Sequence, residues 1–279
     1  MAARFRAAPQ GRRNAAAGST GPVRLSKAIL SGGATVRYGI LSDIHSNLFA
    51  LEVVLKELRR HSPDAYLCVG DTVGYGSRPN ECCALVRELA AQAVVGNHDV
   101  AAFRNGTENW FNAQARAAAL WTRGELEPQH IEYLRGLPEG VRTEQFTMVH
   151  GSLHDRWGYI SSVWEAQETF ALLESPVCLI GHTHYAEWYE LAAGATLAVQ
   201  HVATGGGICT TVPGTRYVVN PGSVGQPRDS DSRASCAIWD TEAGTIQIIR
   251  KPYNVAAAQQ DMLEKGLPPP LAKRLEYGV

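Results

Sequence analysis

Net charge of either sign, long apolar runs and paired cysteines are all missing from this chain, and each absence removes a class of function. A formal charge of −1 at pH 7 over 279 residues gives no global attraction to nucleic acid or to an anionic lipid surface, so no stable nucleic-acid binding is expected. No apolar stretch is long enough to cross a bilayer as a helix, so no membrane role is expected either. None of the six cysteines forms a CxxC pair, and a thiolate metal site needs that kind of spacing. Cys68 and Cys178 sit inside the apolar runs AYLCVG and PVCLIG, while Cys82 and Cys83 are adjacent in a helical stretch. Such thiols behave as small hydrophobes in a reducing compartment, so a cytoplasmic location is expected. No Gly-Lys-Ser/Thr follows Gly205-Gly206-Gly207, so that triplet reads as a flexible turn and not as a phosphate cradle. No GxSxG is present to support a serine hydrolase.

Acidic residues are also missing from the start of the chain, where the first is Asp43. Over 1–35, Arg4, Arg6, Arg12, Arg13, Arg24 and Lys27 stand among Ala, Gly, Pro and Ser. That composition fits an organelle transit peptide. Against it, no sustained apolar face is present, and Pro9, Gly11, Gly18, Gly21 and Pro22 interrupt any long helix. A disordered extension is the expectation for 1–35, with one domain over 36–279. A hydrophobic content of 45% with 19% charged residues is ordinary for a soluble enzyme with a sizeable core.

What is present is an alternation of short apolar runs with amphipathic stretches. VRYGILS (36–42) reads as a strand, and 47–61 follows with Leu48, Leu51, Val54, Leu55 and Leu58 at helical spacing. The pattern repeats as a strand over 65–70, a helix over 79–90 that opens on Pro79, and a strand over 92–96. Residues 109–136 predict two helices, the second starting at Pro128, that wall the site. Strands over 146–151 and 176–182 flank a helix over 164–174. After His184 the runs EWYEL, TLAVQHV, RYVVNPG, SCAIWD and TIQIIRKPY predict a second, mostly antiparallel sheet packed on the first. Helices around 254–264 and 269–276 close the domain.

Five polar clusters each follow a strand-like run: Asp43-Ile44-His45, Gly70-Asp71, Gly96-Asn97-His98-Asp99, His150-Gly151 and Gly181-His182-Thr183-His184. At a strand end, residues i and i+2 point the same way, so Asp43 and His45 can grip one ion. The Asn97 amide oxygen can coordinate a metal, His98 can face a substrate, and Asp99 can orient His98. Singly, each cluster is equally a polar turn or a satisfied core histidine. Together and in this order they describe a two-metal hydrolytic site gathered at one edge of a sheet.

At this point the sequence resembles the calcineurin-like metallophosphoesterases, whose pattern of DxH, GD, GNH[DE], H and GHxH is complete here. The resemblance covers 36 to about 276, and Asp43-Ile44-His45-Ser46-Asn47 with Asn220-Pro221-Gly222-Ser223 look like the small bacterial and archaeal branch. It implies an α/β fold, a four-layer α-β-β-α sandwich of two mixed sheets flanked by helices. It also implies that Asp43, His45 and His184 hold one metal, that Asn97, His150 and His182 hold the other, and that Asp71 bridges them. His98 would serve as proton donor or charge stabiliser at the phosphate, supported by Asp99. The chemistry follows from general principles: two divalent ions about 3.5–4 Å apart clamp phosphate oxygens and lower the pKa of a bridging water, whose hydroxide attacks phosphorus in line. Direct hydrolysis without a phosphoenzyme is expected. Ligands without thiolate suit manganese, iron or zinc, with nickel or magnesium as further options, and manganese is the working expectation.

The substrate is less legible. The leading expectation is a phosphodiesterase acting on a small-molecule or nucleotide phosphate ester. The alternatives are a phosphomonoesterase, a protein phosphatase, a dinucleoside polyphosphate hydrolase, or a noncatalytic interaction module on the same fold. Gly70-Asp71-Thr72-Val73-Gly74 departs from the GDxVDRG of protein phosphatases, and intact His98 argues against a noncatalytic module. Arg228 is a candidate phosphate contact, with a solvated surface arginine as the equal alternative. Arg78, His154, Arg156 and Trp157 have similar standing as loop residues after site-bearing strands.

Overall fold

The computed structural model describes residues 35–279. The extension expected over 1–35 lies outside the described residues, apart from Thr35. The first half runs β1 (Arg37–Leu41), α1 (Leu48–Arg60), β2 (Ala65–Cys68), α2 (Pro79–Glu88), β3 (Gln92–Ala93), α3 (Asn97–Phe103), a 3-10 turn at Thr107–Trp110, α4 (Ala113–Glu125) and α5 (Pro128–Arg135). The second half runs β4 (Gly140–Arg142), β5 (Phe146–Val149), α6 (Val163–Leu172), β6 (Val177–Leu179), β7 (Ala186–Leu191), β8 (Val199–Val202), β9 (Gly207–Thr210), β10 (Arg216–Pro221), β11 (Ala234–Asp240), β12 (Thr245–Lys251), α7 (Val255–Glu264) and α8 (Pro269–Lys273). Two six-stranded sheets result, ordered β3-β2-β1-β11-β12-β9 and β4-β5-β6-β10-β7-β8.

Alternation along the strands explains the layers. Tyr38 and Ile40 of β1, with Leu67 of β2, face Met148, Leu179 and Val219 of the other sheet in one buried cluster. Their neighbours Leu41 and Cys68 point the opposite way, onto Leu51, Val54, Leu55 and Leu58 of α1 and Cys82 and Val86 of α2. On the far side, Cys178, Tyr189 and Val218 pack against Ala166 and Phe170 of α6. Burying each such aliphatic chain stabilises the fold by about 1.5–3 kcal/mol before entropy is counted. The result is helices, sheet, sheet, helices, an α/β sandwich of four layers. All six cysteines are free and buried, as their apolar surroundings require.

The division of strands differs from the sequence expectation of a parallel first sheet followed by an antiparallel second. In the first sheet β1, β2 and β3 are parallel while β11, β12 and β9 add antiparallel. In the second, β5, β6 and β10 are parallel while β4, β7 and β8 are antiparallel. The reason lies in β11, where Ala237 and Trp239 face the inter-sheet core while Cys236 and Ile238 face the helices. A strand apolar on both faces belongs inside a doubly covered sheet, beside β1. The run expected as a strand over 92–96 pairs with β2 only at Gln92 and Ala93. Beyond it, the Val95 amide bonds the Pro138 carbonyl, turning the chain out of the ladder. Gly205-Gly206-Gly207 is a turn only in part, since Gly206 is left-handed (φ +99°) but Gly207 opens β9.

Candidate metal centre

Every cluster singled out in the sequence lies just beyond the C-terminal end of a parallel strand. Asp43 follows β1, Asp71 follows β2, Asn97 follows β3, His150 follows β5, and His182 and His184 follow β6. Ligands in open α/β sheets bind outside such strand ends. Here the ends of two sheets converge, so the site straddles their junction instead of lying on one sheet's edge.

The loops hold unusual backbone conformations. Asp43, His45, Asp71, His182 and His184 all have positive φ, between 49° and 68°. For residues other than glycine this costs on the order of 1–3 kcal/mol each, and it persists only where the surroundings enforce it. The enforcing contacts are visible. Amides of Asp43 and His45 donate to the carbonyls of Gly70 and Asp71 (3.1 and 3.0 Å), tying the first loop to the second. Asn220 donates to the Gly181 carbonyl and to Thr183 Oγ1, both at 2.9 Å, and Ser223 Oγ donates to the Asp43 carbonyl at 2.7 Å. Asn47 caps α1 through the Ala50 amide and donates to the Gly225 carbonyl at 2.8 Å. The segment 220–225 is therefore a brace behind the ligand loops.

Two groups of possible ligands emerge, Asp43 with His45 and His184, and Asp71 with His150 and His182. All six are buried, and within each group the donor atoms lie within 4.8 Å of one another. Asp71 links the groups: its Oδ2 is 3.6 Å from His45 Nε2 and 3.2 Å from His150 Nε2, while its Oδ1 accepts the His98 amide at 2.8 Å. Asp43 Oδ1 is 3.3 Å from His184 Nε2 and 4.0 Å from His150 Nε2.

Hydrogen bonding fixes which ring atoms face inward. His45 Nδ1–H donates to the Val73 carbonyl at 3.1 Å and His184 Nδ1–H to the Gln226 carbonyl at 2.5 Å. Both Nε2 atoms then carry lone pairs, and they face each other at 3.1 Å. Neither can donate in that tautomer, so a cation is the partner that satisfies both. His150 Nδ1–H is likewise taken by the Val69 carbonyl at 2.8 Å, which turns its Nε2 toward Asp71 Oδ2. His182 Nε2–H donates to the Trp157 carbonyl at 3.0 Å, which leaves Nδ1 as its free donor atom. Asn97 Oδ1 is also buried and unpartnered, as a ligand oxygen awaiting a cation would be. The residues therefore fit two divalent cations.

Electrostatics agree. Burial opposes charge on Asp71, yet His150 holds it well below the usual carboxylate range. Burial pushes the Asp43 carboxyl up to about 6, with the Asp71 charge adding to it. Burial disfavours charge on His150 too, but Asp71 overrides it and raises the imidazole to about 9. Burial lowers His45 and His184 well below their ordinary value and His182 to about 3, keeping these rings neutral.

His98 is buried beside the cavity, stacked on Phe111 (centroids 4.3 Å, planes 26° apart), and its Nδ1 has no partner. Burial lowers it to about 4 despite the nearby Asp71. Asp99, expected to orient that ring, does something else. Its Oδ1 accepts the Val73 amide and its Oδ2 the Gly96 amide, both at 3.0 Å, so it ties down the start of α3 and fixes the loop carrying His45's carbonyl partner. Arg78 is not at the site: it forms a bidentate pair with Asp261 of α7 (Nε–Oδ2 2.8 Å, Nη2–Oδ1 2.5 Å). Arg156 pairs with Glu139 at 2.5 Å. Arg228 does line the cavity, with Nη2 3.0 Å from Gln226 Oε1 and its buried Nε unpartnered.

The cavity, about 320 Å³, is lined by Asp71, Asn97, His98, His182, His184 and Arg228 together with five aromatic residues. Among these aromatics, Trp110 and Phe111 belong to the stretch 109–136 expected to wall the site, and Trp157 was a candidate loop residue. Tyr75 and Tyr159 carried no such signal in the sequence.

Comparison with known proteins places this geometry. Residues 36–244 match the calcineurin-like phosphoesterase superfamily domain. An uncharacterized protein of Methanocaldococcus jannaschii is 31% identical over 245 residues, covering 86% of this chain and 97% of that one. Among solved structures, a metallophosphoesterase from Sphaerobacter thermophilus superposes with a TM-score of 0.80 at 39% identity, covering 88% of this chain and all of the other (100%). A hypothetical protein from Pyrococcus horikoshii OT3 shares the fold, with a TM-score of 0.71 at 20% identity over 88% of this chain and 99% of its own.

Proposed function

The chain belongs to the calcineurin-like phosphoesterase superfamily, and on that premise we propose that it is a binuclear metal-dependent phosphoesterase that hydrolyses a phosphodiester of a small molecule or nucleotide. The observation that carries the reading is the pair of inward lone pairs on His45 and His184, 3.1 Å apart, beside a second donor group that shares Asp71. In this reading Asp43, His45 and His184 would hold one cation and Asn97, His150 and His182 the other, with Asp71 shared between the two groups. Two divalent cations would supply Lewis acidity toward phosphate oxygens and acidify water at neutral pH. Manganese is our choice for assays, on donor chemistry alone.

The chain's own groups do the rest. His98 lines the cavity and is suited to bond a phosphate oxygen and, when protonated, to pass a proton to the leaving group. The Arg228 guanidinium lines the cavity and is suited to a phosphate oxygen. The backbone carbonyls of Val73, Val69, Gln226 and Trp157 hold four imidazoles in one orientation each. Beyond the ligands and His98 the walls offer one cation, Arg228, and five aromatics. That composition favours a singly charged diester with apolar substituents over a dianionic monoester. We place the catalytic unit at 36–279 and the protein in a reducing, cytoplasmic setting.

Wild type and His98→Ala, each loaded with manganese, zinc, iron, nickel or magnesium, should be compared on bis(p-nitrophenyl) phosphate and p-nitrophenyl phosphate. The expected result is diester hydrolysis that falls about 10²–10⁴-fold in the variant while bound metal is unchanged. Metal-loaded wild type silent on both esters, or a variant as active as wild type, contradicts the reading.

A further inference from the structure

Four aromatic rings around the cavity mouth divide into two kinds. Phe111 already stacks on His98, and Tyr159 stacks on His182 with centroids 4.2 Å apart and planes 10° apart, so these two steady site imidazoles. Trp110 and Trp157 stack on neither. Trp110 comes from the 3-10 turn and Trp157 from the loop after β5, with centroids 6.3 Å apart and planes tilted 43°. Trp110 is 52% exposed although it is a large apolar ring. Trp157 is steadied from within its own loop: the Arg156 guanidinium lies 4.4 Å from its ring centre, and its carbonyl holds His182. The two tilted indoles form a wedge in the lining of the cavity that also holds Asp71, Asn97, His182 and His184.

We propose that this wedge is a stacking subsite for a nucleobase, so that the diester is a nucleoside phosphodiester. The proposal rests on the phosphoesterase reading above and names its substrate class. Indole faces select flat rings, and a base presents a π-face whatever its sequence identity. A sugar or polyol needs carboxylate or amide partners for its hydroxyls, and among the described residues that line the cavity these are Asp71 and Asn97, which belong to the candidate centre. Arg228, the one cation among the described lining residues, is left for the phosphate.

The test uses the metal-loaded full chain with adenosine 5′-monophosphate, ribose 5-phosphate and phenyl phosphate, read both as inhibition of bis(p-nitrophenyl) phosphate hydrolysis and as quenching of tryptophan fluorescence. Adenosine 5′-monophosphate is expected to bind at least about tenfold more tightly than ribose 5-phosphate, the scale of one stacked base, and to quench fluorescence. In Trp110→Ala and in Trp157→Ala that preference should fall toward one, and Trp110→Phe should keep most of it. Equal binding of the two phosphates by an active enzyme overturns the proposal, as does a preference that survives in both alanine variants. Phenyl phosphate binding as tightly as adenosine 5′-monophosphate overturns the nucleobase assignment in favour of a simple aryl ester. A wild type that hydrolyses nothing refutes the underlying phosphoesterase reading instead, and the fluorescence titration still decides the wedge.

Discussion

Gly96→Ala isolates the geometry of the centre from the chemistry of its ligands. Gly96 has φ −96° and ψ 173°, an extended conformation open to any residue, so the substitution carries no backbone penalty. The added methyl would overlap Asp71 Oδ1 and the Asp71 amide, and would lie 2.6 Å from Asp71 Cγ. Carbon atoms in contact sit about 3.5–4.0 Å apart, so the carboxylate must move by about 1 Å. It has nowhere free to go, since Oδ1 accepts the His98 amide and Oδ2 faces His150 and His45. Overpacking of this kind costs about 1–3 kcal/mol of stability, and a 1 Å misplacement of a positioning group costs about 10²-fold in rate. The assay combines urea denaturation, metal content by mass spectrometry, and kcat/KM on bis(p-nitrophenyl) phosphate. A folded variant that keeps both cations and a kcat/KM within about twofold of wild type would refute the claim that Asp71 joins the two groups.

Three further outcomes are expected. Asp99→Asn leaves one of two buried backbone amides without its acceptor and should cost about 1–3 kcal/mol in urea denaturation; unchanged stability with a collapse confined to kcat would restore a direct role beside His98. Arg228→Ala should raise KM about tenfold or more through a lost charge-assisted bond, with Arg228→Lys intermediate, and an unchanged KM would return Arg228 to the solvated alternative. Burial pushes the Asp261 carboxyl up, but bonds from Arg78 and Ser77 hold it below its usual range. It therefore adds stability at neutral pH that is lost as pH falls through the depressed value. Asp261→Asn should be less stable by about 1–3 kcal/mol at neutral pH, and the gap should close in acid; a gap that widens on acidification would reverse the assignment.

The sequence made the local pattern legible because periodicity and breakers act locally. Leu51, Val54, Leu55 and Leu58 mark α1, Pro79 and Pro128 open α2 and α5, and polar clusters after apolar runs mark strand ends. Partner choice was not legible. Whether β5 and β6 join β1 or β10 depends on how two doubly apolar strands share a core, and no window of sequence carries that. Polar side chains were legible as candidates but not as roles. Asp99 turns back to backbone amides, Arg78 reaches across to α7, and Asn220 braces the 181–183 loop from behind. In each case a partner is distant in sequence: Val73 for Asp99, Asp261 for Arg78 and Gly181 for Asn220. The aromatic walls share that difficulty, since Trp110 and Trp157 meet only after α3 and β5 are packed.

The most direct measurement is the number of divalent cations retained by the purified, dialysed full chain, counted by mass spectrometry beside the same count for Asp71→Ala. Two per chain in wild type and fewer than one in the variant is the predicted outcome, because one carboxylate serves both donor groups. A folded wild type that retains none, or an Asp71→Ala variant that still retains two, contradicts the shared centre on which the proposed hydrolysis depends.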